Sequence, residues 1–118
     1  MREHFRVYYE PMDSPIKNRY SVLIEKQNIL KNEFPSDSFL ISYDLILFVC
    51  EQNTLGLEVN VKNLFLSASH SYSAVRHHYL GLLDAGFIRS EFKPNNKKTK
   101  LIFATQKSYA LIERVLSC

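Results

Sequence analysis

The fold of this chain is decided by one stretch, Ser71-Tyr-Ser-Ala-Val-Arg-His-His-Tyr-Leu-Gly-Leu-Leu-Asp-Ala-Gly-Phe-Ile88. Its apolar residues recur with the period of a helix, so the stretch predicts an amphipathic helix over residues 71–85. The predicted buried stripe consists of Val75, Tyr79, Leu82 and Leu83. Ser71 is a favourable N-cap, because its hydroxyl accepts a hydrogen bond from a free backbone N–H. Gly86 is typical of the residue that ends a helix.

The segment after this helix predicts a β-hairpin. Residues 87–93 and 100–104 alternate as two antiparallel strands would, and Pro94-Asn95-Asn96 favours a turn between them. The expected inward positions are Phe92, Leu101 and Phe103. A helix that leads into a basic-tipped hairpin is the plan of a winged helix-turn-helix. We therefore expect a mainly α fold with a small antiparallel β-hairpin (α+β), in which extra N- and C-terminal helices flank the winged helix-turn-helix.

Further helices are indicated by capping residues. Ser14 and Pro15 favour a helix start, and Pro35 ends that helix, because the residue before a proline avoids helical geometry. Its apolar stripe consists of Ile16, Tyr20, Leu23, Leu30 and Phe34. Ser42, Asn60 and Thr105 are predicted to cap helices over residues 43–52, 61–67 and 106–116.

These elements divide the chain into two parts. Residues 1–36 form an N-terminal arm and helix, which we interpret as a dimerisation element; the alternative is a plain core helix. Residues 37–118 form the winged helix-turn-helix domain with its short C-terminal helix. A chain of 118 residues is large enough for one domain with a substantial core.

Positive charge is concentrated in the C-terminal half. Residues 1–70 carry seven Lys/Arg against nine Asp/Glu, whereas residues 71–118 carry eight against three. This asymmetry favours a polyanionic partner, although a basic face that is merely solvated gives the same count.

Enzyme, metal and membrane functions find no support in the sequence. The four histidines lack ligand partners at metal-binding spacing, and three glycines make no phosphate-binding loop. We therefore predict no catalytic residue, no metal and no cofactor. The apolar runs are too short for a membrane span, the N-terminus lacks a signal-peptide pattern, and two cysteines make no disulfide framework. A cytoplasmic location is expected.

The polar face of the helix and the hairpin tip are suited to DNA. Arg76 has the geometry to bind guanine O6 and N7, with Ser73 and His77 at base edges. Ser71 and Tyr72 are expected at bases or phosphates. The wing cations have no acidic residue beside them at the tip and are expected on the backbone or in the minor groove. The wing set consists of Arg89, Lys93, Asn95, Asn96, Lys97, Lys98 and Lys100. Lysines that prevent edge-strand aggregation are the alternative.

Residues 43–114 resemble the MarR-type winged helix-turn-helix regulators of bacteria. Leu82-Leu-Asp-Ala-Gly86-Phe-Ile88 is similar to the Leu-x-x-x-Gly-Leu-Ile that ends their recognition helix. Asn96-Lys97-Lys98 stands at their wing Asp-x-Arg element, and Ala104-Thr105-Gln-Lys-Ser108 at their Leu-Thr-x-x-Gly. Asn96, Lys98 and Ser108 thus depart from the family's Asp, Arg and Gly.

The resemblance implies a dimeric, sequence-specific transcriptional regulator of double-stranded DNA. Its recognition helix, residues 71–85, would enter the major groove, and its basic wing, residues 93–100, would contact the backbone or minor groove. Family members often bind small phenolic ligands, but the sequence leaves open whether this chain has an effector. Two alternatives remain: a winged helix used for protein–protein interaction, and an accessory DNA-binding protein in replication or partition of a mobile element.

Overall fold

The computed structural model describes residues 14–34 and 38–117, with side chains from residue 19 onward. The expected arm over residues 1–13, together with Pro35, lies outside the described residues. In chain order the elements are α1 (Ser14–Glu33), α2 (Phe39–Thr54), α3 (Val61–Ser67), α4 (Tyr72–Asp84), β1 (Ile88–Lys93), β2 (Asn96–Ala104) and α5 (Gln106–Leu116). This order confirms the expected mainly helical fold with one antiparallel hairpin and a helix at each end. No helix in the described ranges is long and apolar enough to cross a membrane.

A single hydrophobic core joins the helices and the hairpin. Its centre is made of side chains that are almost completely removed from water, which is the main favourable term in folding. These residues are Leu45, Ile46, Val49, Val59, Leu64, Val75, Phe87, Ile102 and Leu111. They come from α2, α3, α4, β2 and α5 and from the segments that precede α3 and β1, so the winged helix-turn-helix packs as one unit.

The hairpin differs in detail from its prediction. Strand β2 begins at Asn96 rather than residue 100, and the register shifts between Phe92 and Lys93. Phe92 was expected to face inward, but it is 57% exposed. Leu101 is buried as expected, and Ile102 beside it is also buried. The segment before α3 covers the open edge of β2 at this point: the Ile102 N–H donates to the Val59 carbonyl at 2.7 Å, and Asn60 forms an isolated β-bridge with Leu101.

Two of the four predicted caps behave as expected. Asn60 caps α3 and forms a capping box with Asn63, and the Ser71 hydroxyl accepts from the Ala74 N–H at 3.3 Å. The prediction for Ser42 was wrong, because α2 begins four residues before the predicted start and buries Ser42 in its first turns. Thr105 occupies the cap position of α5, but its hydroxyl makes no capping bond there.

Helix α1 is packed along only part of its length. Leu30 and Phe34 are buried as predicted, whereas Tyr20 and Leu23 of the same predicted stripe are exposed. Two contacts join α1 to α5: Arg114 donates to Glu33 at 2.6 Å, and the Lys26 ammonium donates to the Val115 carbonyl. The end of α1 therefore belongs to the core, and its earlier apolar residues remain open to solvent.

We expect Leu64→Ala to lower the free energy of unfolding by about 2–5 kcal/mol, because Leu64 is 0% exposed and its loss leaves a cavity. Leu66→Ala is the matched control, since Leu66 lies on the same helix and is 74% exposed. Its effect should stay within about 0.5 kcal/mol. Urea unfolding followed by circular dichroism measures both, and equal losses would contradict this orientation of α3.

Candidate nucleic-acid interface

Helix α4 exposes a polar face opposite its buried stripe. Val75, Tyr79 and Leu82 are buried, as the sequence predicts. Ser73, Arg76 and His77 are exposed and follow one another at helical spacing. No ion pair within the described residues involves Arg76, so its guanidinium is available to a ligand. The face thus presents hydroxyl, guanidinium and imidazole donors to solvent.

Tyr72 begins α4 and is held by an aromatic contact. Its side chain is 69% exposed, yet its ring centroid lies 5.2 Å from that of Phe65. Phe65 in turn lies 5.6 Å from the buried ring of Tyr79. This chain of rings ties the N-terminus of α4 to α3 and leaves the Tyr72 hydroxyl end on the surface.

His78 is buried although its neighbour His77 is exposed. The Ser42 hydroxyl and His78 Nδ1 form a hydrogen bond at 2.8 Å, which links α2 to α4. Burial lowers the pKa of His78, and the nearby His77 and His70 lower it further, so folding favours the neutral ring. The sequence did not reveal this contact, because Ser42 and His78 are far apart in the chain and Ser42 was expected to cap a helix.

The C-terminal end of α4 is fixed by α5. Gly86 has a φ of 81° and ends the helix as predicted, with the Phe87 N–H donating to the Leu82 carbonyl. The Thr105 hydroxyl donates to the Gly86 carbonyl at 2.5 Å. The buried Ser108 hydroxyl donates to the Phe87 carbonyl at 2.5 Å. Ser108, a departure from the family pattern, therefore donates to a backbone carbonyl in the turn that follows α4.

The wing cations are not all unpaired, and this corrects the sequence analysis. Lys93 Nζ lies 3.1 Å from Glu58 Oε1, an acidic residue that is distant in sequence. Arg89 pairs with Glu91 and its guanidinium stacks on the Phe103 ring at 4.5 Å. These pairs are exposed and contribute little to stability, but they reduce the positive charge at the base of the wing.

The wing tip keeps three lysines that form no ion pair with any described residue: Lys97, Lys98 and Lys100. Asn96 organises the tip, since its Oδ1 accepts from the Lys98 N–H and its Nδ2 donates to Thr99, both at 3.0 Å. Asn95 lies in the turn and is exposed. The tip is therefore a basic surface on an ordered turn.

Lys62 is a candidate residue that the sequence analysis missed. It lies in the first turn of α3 and lines a cleft together with Lys98 and Lys100. The sequence contained one signal: a cation in the first turn of a helix opposes the helix dipole.

A second cavity, of about 470 Å³, lies beside α4. His77, Leu80 and Gly81 of α4 line it, together with Phe34 at the end of α1 and Ser42 of α2. Elsewhere in the described chain, no group of three or more His, Cys, Asp or Glu side chains is placed to hold a metal ion. Cys50 is buried, and burial raises the pKa of its thiol to about 11, so it is unreactive.

No protein-family model and no curated protein matches this sequence. Solved structures do match it. The transcriptional regulator Tm0710 from Thermotoga maritima is 14% identical with a TM-score of 0.63, over 99% of this chain and 72% of that chain. A mutant of MepR from S. aureus is 10% identical with a TM-score of 0.67, over 86% and 69%.

Sco3205 of Streptomyces coelicolor, a MarR family transcriptional regulator solved in complex with DNA, is also similar. It is 17% identical with a TM-score of 0.57, over 86% of this chain and 63% of that chain. At these identities the likeness establishes the fold. The chain has the winged helix-turn-helix fold of the MarR-type regulators, as its sequence resemblance implied.

We expect the free energy of unfolding to fall as the pH drops below about 6.5, the ordinary pKa of histidine. The pKa of His78 is lowered in the folded protein, so the unfolded chain takes up the proton first and is favoured at acidic pH. Above that pH, the contribution of His78 to the free energy of unfolding is fully present. Urea unfolding at about pH 7.5 and about pH 5.5 measures the loss. In His78→Asn, the side-chain oxygen can still accept from Ser42, and the free energy of unfolding should fall less between these two pH values. An identical fall in wild type and variant would contradict the assignment of this pH dependence to His78.

Proposed function

We propose that the protein is a DNA-binding transcriptional regulator that reads double-stranded DNA with α4. The observation that carries this proposal is the exposed face of α4, where Ser73, Arg76 and His77 lie at helical spacing. The fold supports it, because similar structures are of transcriptional regulators and two of them contain DNA. We expect the protein to act in the cytoplasm, where bacterial DNA lies.

Arg76 is the proposed main reader of sequence. A guanidinium that binds guanine O6 and N7 with two hydrogen bonds discriminates against other bases by about 1–3 kcal/mol. Ser73 and His77 flank it on the same face and would contact neighbouring base edges. Ser71 and Tyr72 lie at the helix N-terminus, where free N–H groups favour a phosphate.

The wing is proposed to hold the DNA without reading it. Lys97 and Lys98 form no ion pair in the described structure, so their charges are available to phosphates. The order of the tip, maintained by Asn96, keeps these charges together. Arg89 and Lys93 already have acidic partners and should contribute less to DNA affinity.

A homodimer is proposed from the unpacked part of α1. Tyr20, Leu23 and Ile24 are all more than half exposed, and Leu116 at the end of α5 is 70% exposed. Exposed apolar side chains that lie close together on the adjacent helices α1 and α5 favour burial against a second copy of the chain. Residues 1–36 would then serve as the dimerisation element, and two α4 helices would enter successive major grooves. The same apolar surface would serve a protein partner if the protein were an interaction module instead.

Arg76→Ala should relax sequence preference, because it removes the residue that discriminates between bases. Lys97→Ala and Lys98→Ala should weaken binding to every duplex and lower its salt dependence, because they remove phosphate contacts. Gel shifts separate the two effects when they are run across a salt series with a duplex that the protein selects from random sequences and with mixed-sequence duplex. Arg89→Ala is the control for loss of an exposed guanidinium. Unchanged DNA affinity in the Arg76, Lys97 and Lys98 triple variant would refute the proposal.

Leu23→Glu should shift the protein towards monomer, because a carboxylate would have to be buried in the apolar contact between copies. Sedimentation equilibrium measures the change. Leu40→Glu is the matched control, since Leu40 is similarly exposed but lies at the start of α2. A wild-type protein that sediments as a monomer at all concentrations would contradict the dimer.

A further inference from the structure

A basic cleft lies between α3 and the wing, outside the exposed face of α4. Its volume is about 350 Å³. The residues that line it are Asn60, Val61, Lys62, Lys98, Thr99 and Lys100. Three of these six carry an ammonium group, and they come from two different elements of the fold. None of the six is acidic.

The two walls of the cleft are fixed relative to each other. Asn60 forms a β-bridge with Leu101, and the Ile102 N–H donates to the Val59 carbonyl at 2.7 Å. Asn60 also caps α3, so the first turn of that helix, with Lys62, begins at the bridge. On β2, Lys98 and Lys100 are two residues apart and lie on the same side of the strand. The cleft is therefore built into the backbone and does not depend on flexible loops.

The charges in the cleft have no acidic partner among the described residues, although the Lys100 ammonium lies 5.3 Å from the centroid of the Phe92 ring. Within the described residues, no salt bridge involves Lys62, Lys98 or Lys100. Glu58 precedes the cleft in sequence, but its carboxylate pairs with Lys93. Lys62 also lies where the dipole of α3 disfavours a cation. Like charges converging on one cleft repel one another, and an anion bound there would relieve the repulsion.

We propose that this cleft holds one backbone phosphate of DNA, and that Lys62 is a DNA-contacting residue of the protein. The inference rests on the proposed function. A DNA strand that passes between α3 and the wing would place a phosphodiester against Lys62 on one side and Lys98 and Lys100 on the other. Lysine suits this task, because a compact ammonium binds phosphate as a point charge without demanding one orientation. The contact would fix the position of the wing along the backbone and carry no sequence information.

The test is the salt dependence of binding to a mixed-sequence duplex, measured for wild type, Lys62→Met, Lys100→Met and the double variant. Loss of one phosphate contact lowers the slope of log K against log salt by about 0.9. We expect a loss of up to that size for Lys62→Met. We expect the double variant to lose less than twice the single-variant loss, because both lysines bind the same phosphate.

Lys31→Met is the matched control: Lys31 is exposed, lies in the last turn of α1 near the Phe39 ring and apart from the exposed Tyr20, Leu23 and Ile24, and its loss removes the same charge. Its slope should stay at the wild-type value. All the altered lysines are exposed, so thermal unfolding should be unchanged and confirms that each variant is folded.

The other outcomes overturn the inference in distinct ways. A Lys62→Met slope equal to that of Lys31→Met removes Lys62 from the interface but leaves the proposed function intact. A double variant whose slope falls by twice the single-variant loss shows that Lys62 and Lys100 contact two separate phosphates. A Lys62 dependence seen in titration with inorganic phosphate, but not with duplex, makes the cleft a site for free anions. A wild-type protein that binds no duplex removes both the inference and the proposed function.

Discussion

The turn at Gly86 and Phe87 is the constraint on which the rest of the structure depends. Gly86 leaves α4 with a φ of 81°, a conformation that costs residues with a Cβ roughly 1–2 kcal/mol. The ring of Phe87 enters the core, with its centroid 5.1 Å from that of Phe34. Its carbonyl oxygen accepts from the Thr105 N–H at 3.0 Å and from the buried Ser108 hydroxyl. One turn thus joins α1, α4, β1 and α5.

This turn explains how α4 and the wing keep a fixed relation. The helix ends where the wing begins, and α5 holds the junction from the other side. Nearer the middle of α4, the buried hydrogen bond between Ser42 and His78 fixes the helix against α2. A site on rigid elements supported by buried contacts is placed more accurately than one on loops. The exposed face of α4 is therefore a defined surface, with Arg76 at its centre.

The positive charge of each part of the surface depends on which residues the fold brings together. The C-terminal half is basic in sequence, yet Lys93 is paired with Glu58 and Arg89 with Glu91. These pairs leave the unpaired lysines further out, at the wing tip. Lys62, which belongs to the acidic half of the sequence, joins them across the cleft. The bridge between Asn60 and β2 brings these residues together, so the surface potential follows the fold and not the order of the chain.

Local chemistry determined much of the fold from sequence. Helical periodicity, capping by Asn60 and Ser71, and the stop at Gly86 all act within a few residues, and the α3 and α4 helices follow them closely. Only tertiary structure decided what depends on distant partners. Ile102 is buried where the segment before α3 covers the edge of β2, whereas Phe92 on β1 is exposed. The Ser42 hydroxyl bonds to His78, the Thr105 and Ser108 hydroxyls bond to the backbone carbonyls after α4, and Lys93 pairs with Glu58, which is far away in the chain. Alternation and capping preferences describe one segment at a time, whereas burial and ion pairing require the neighbours that only the folded chain provides.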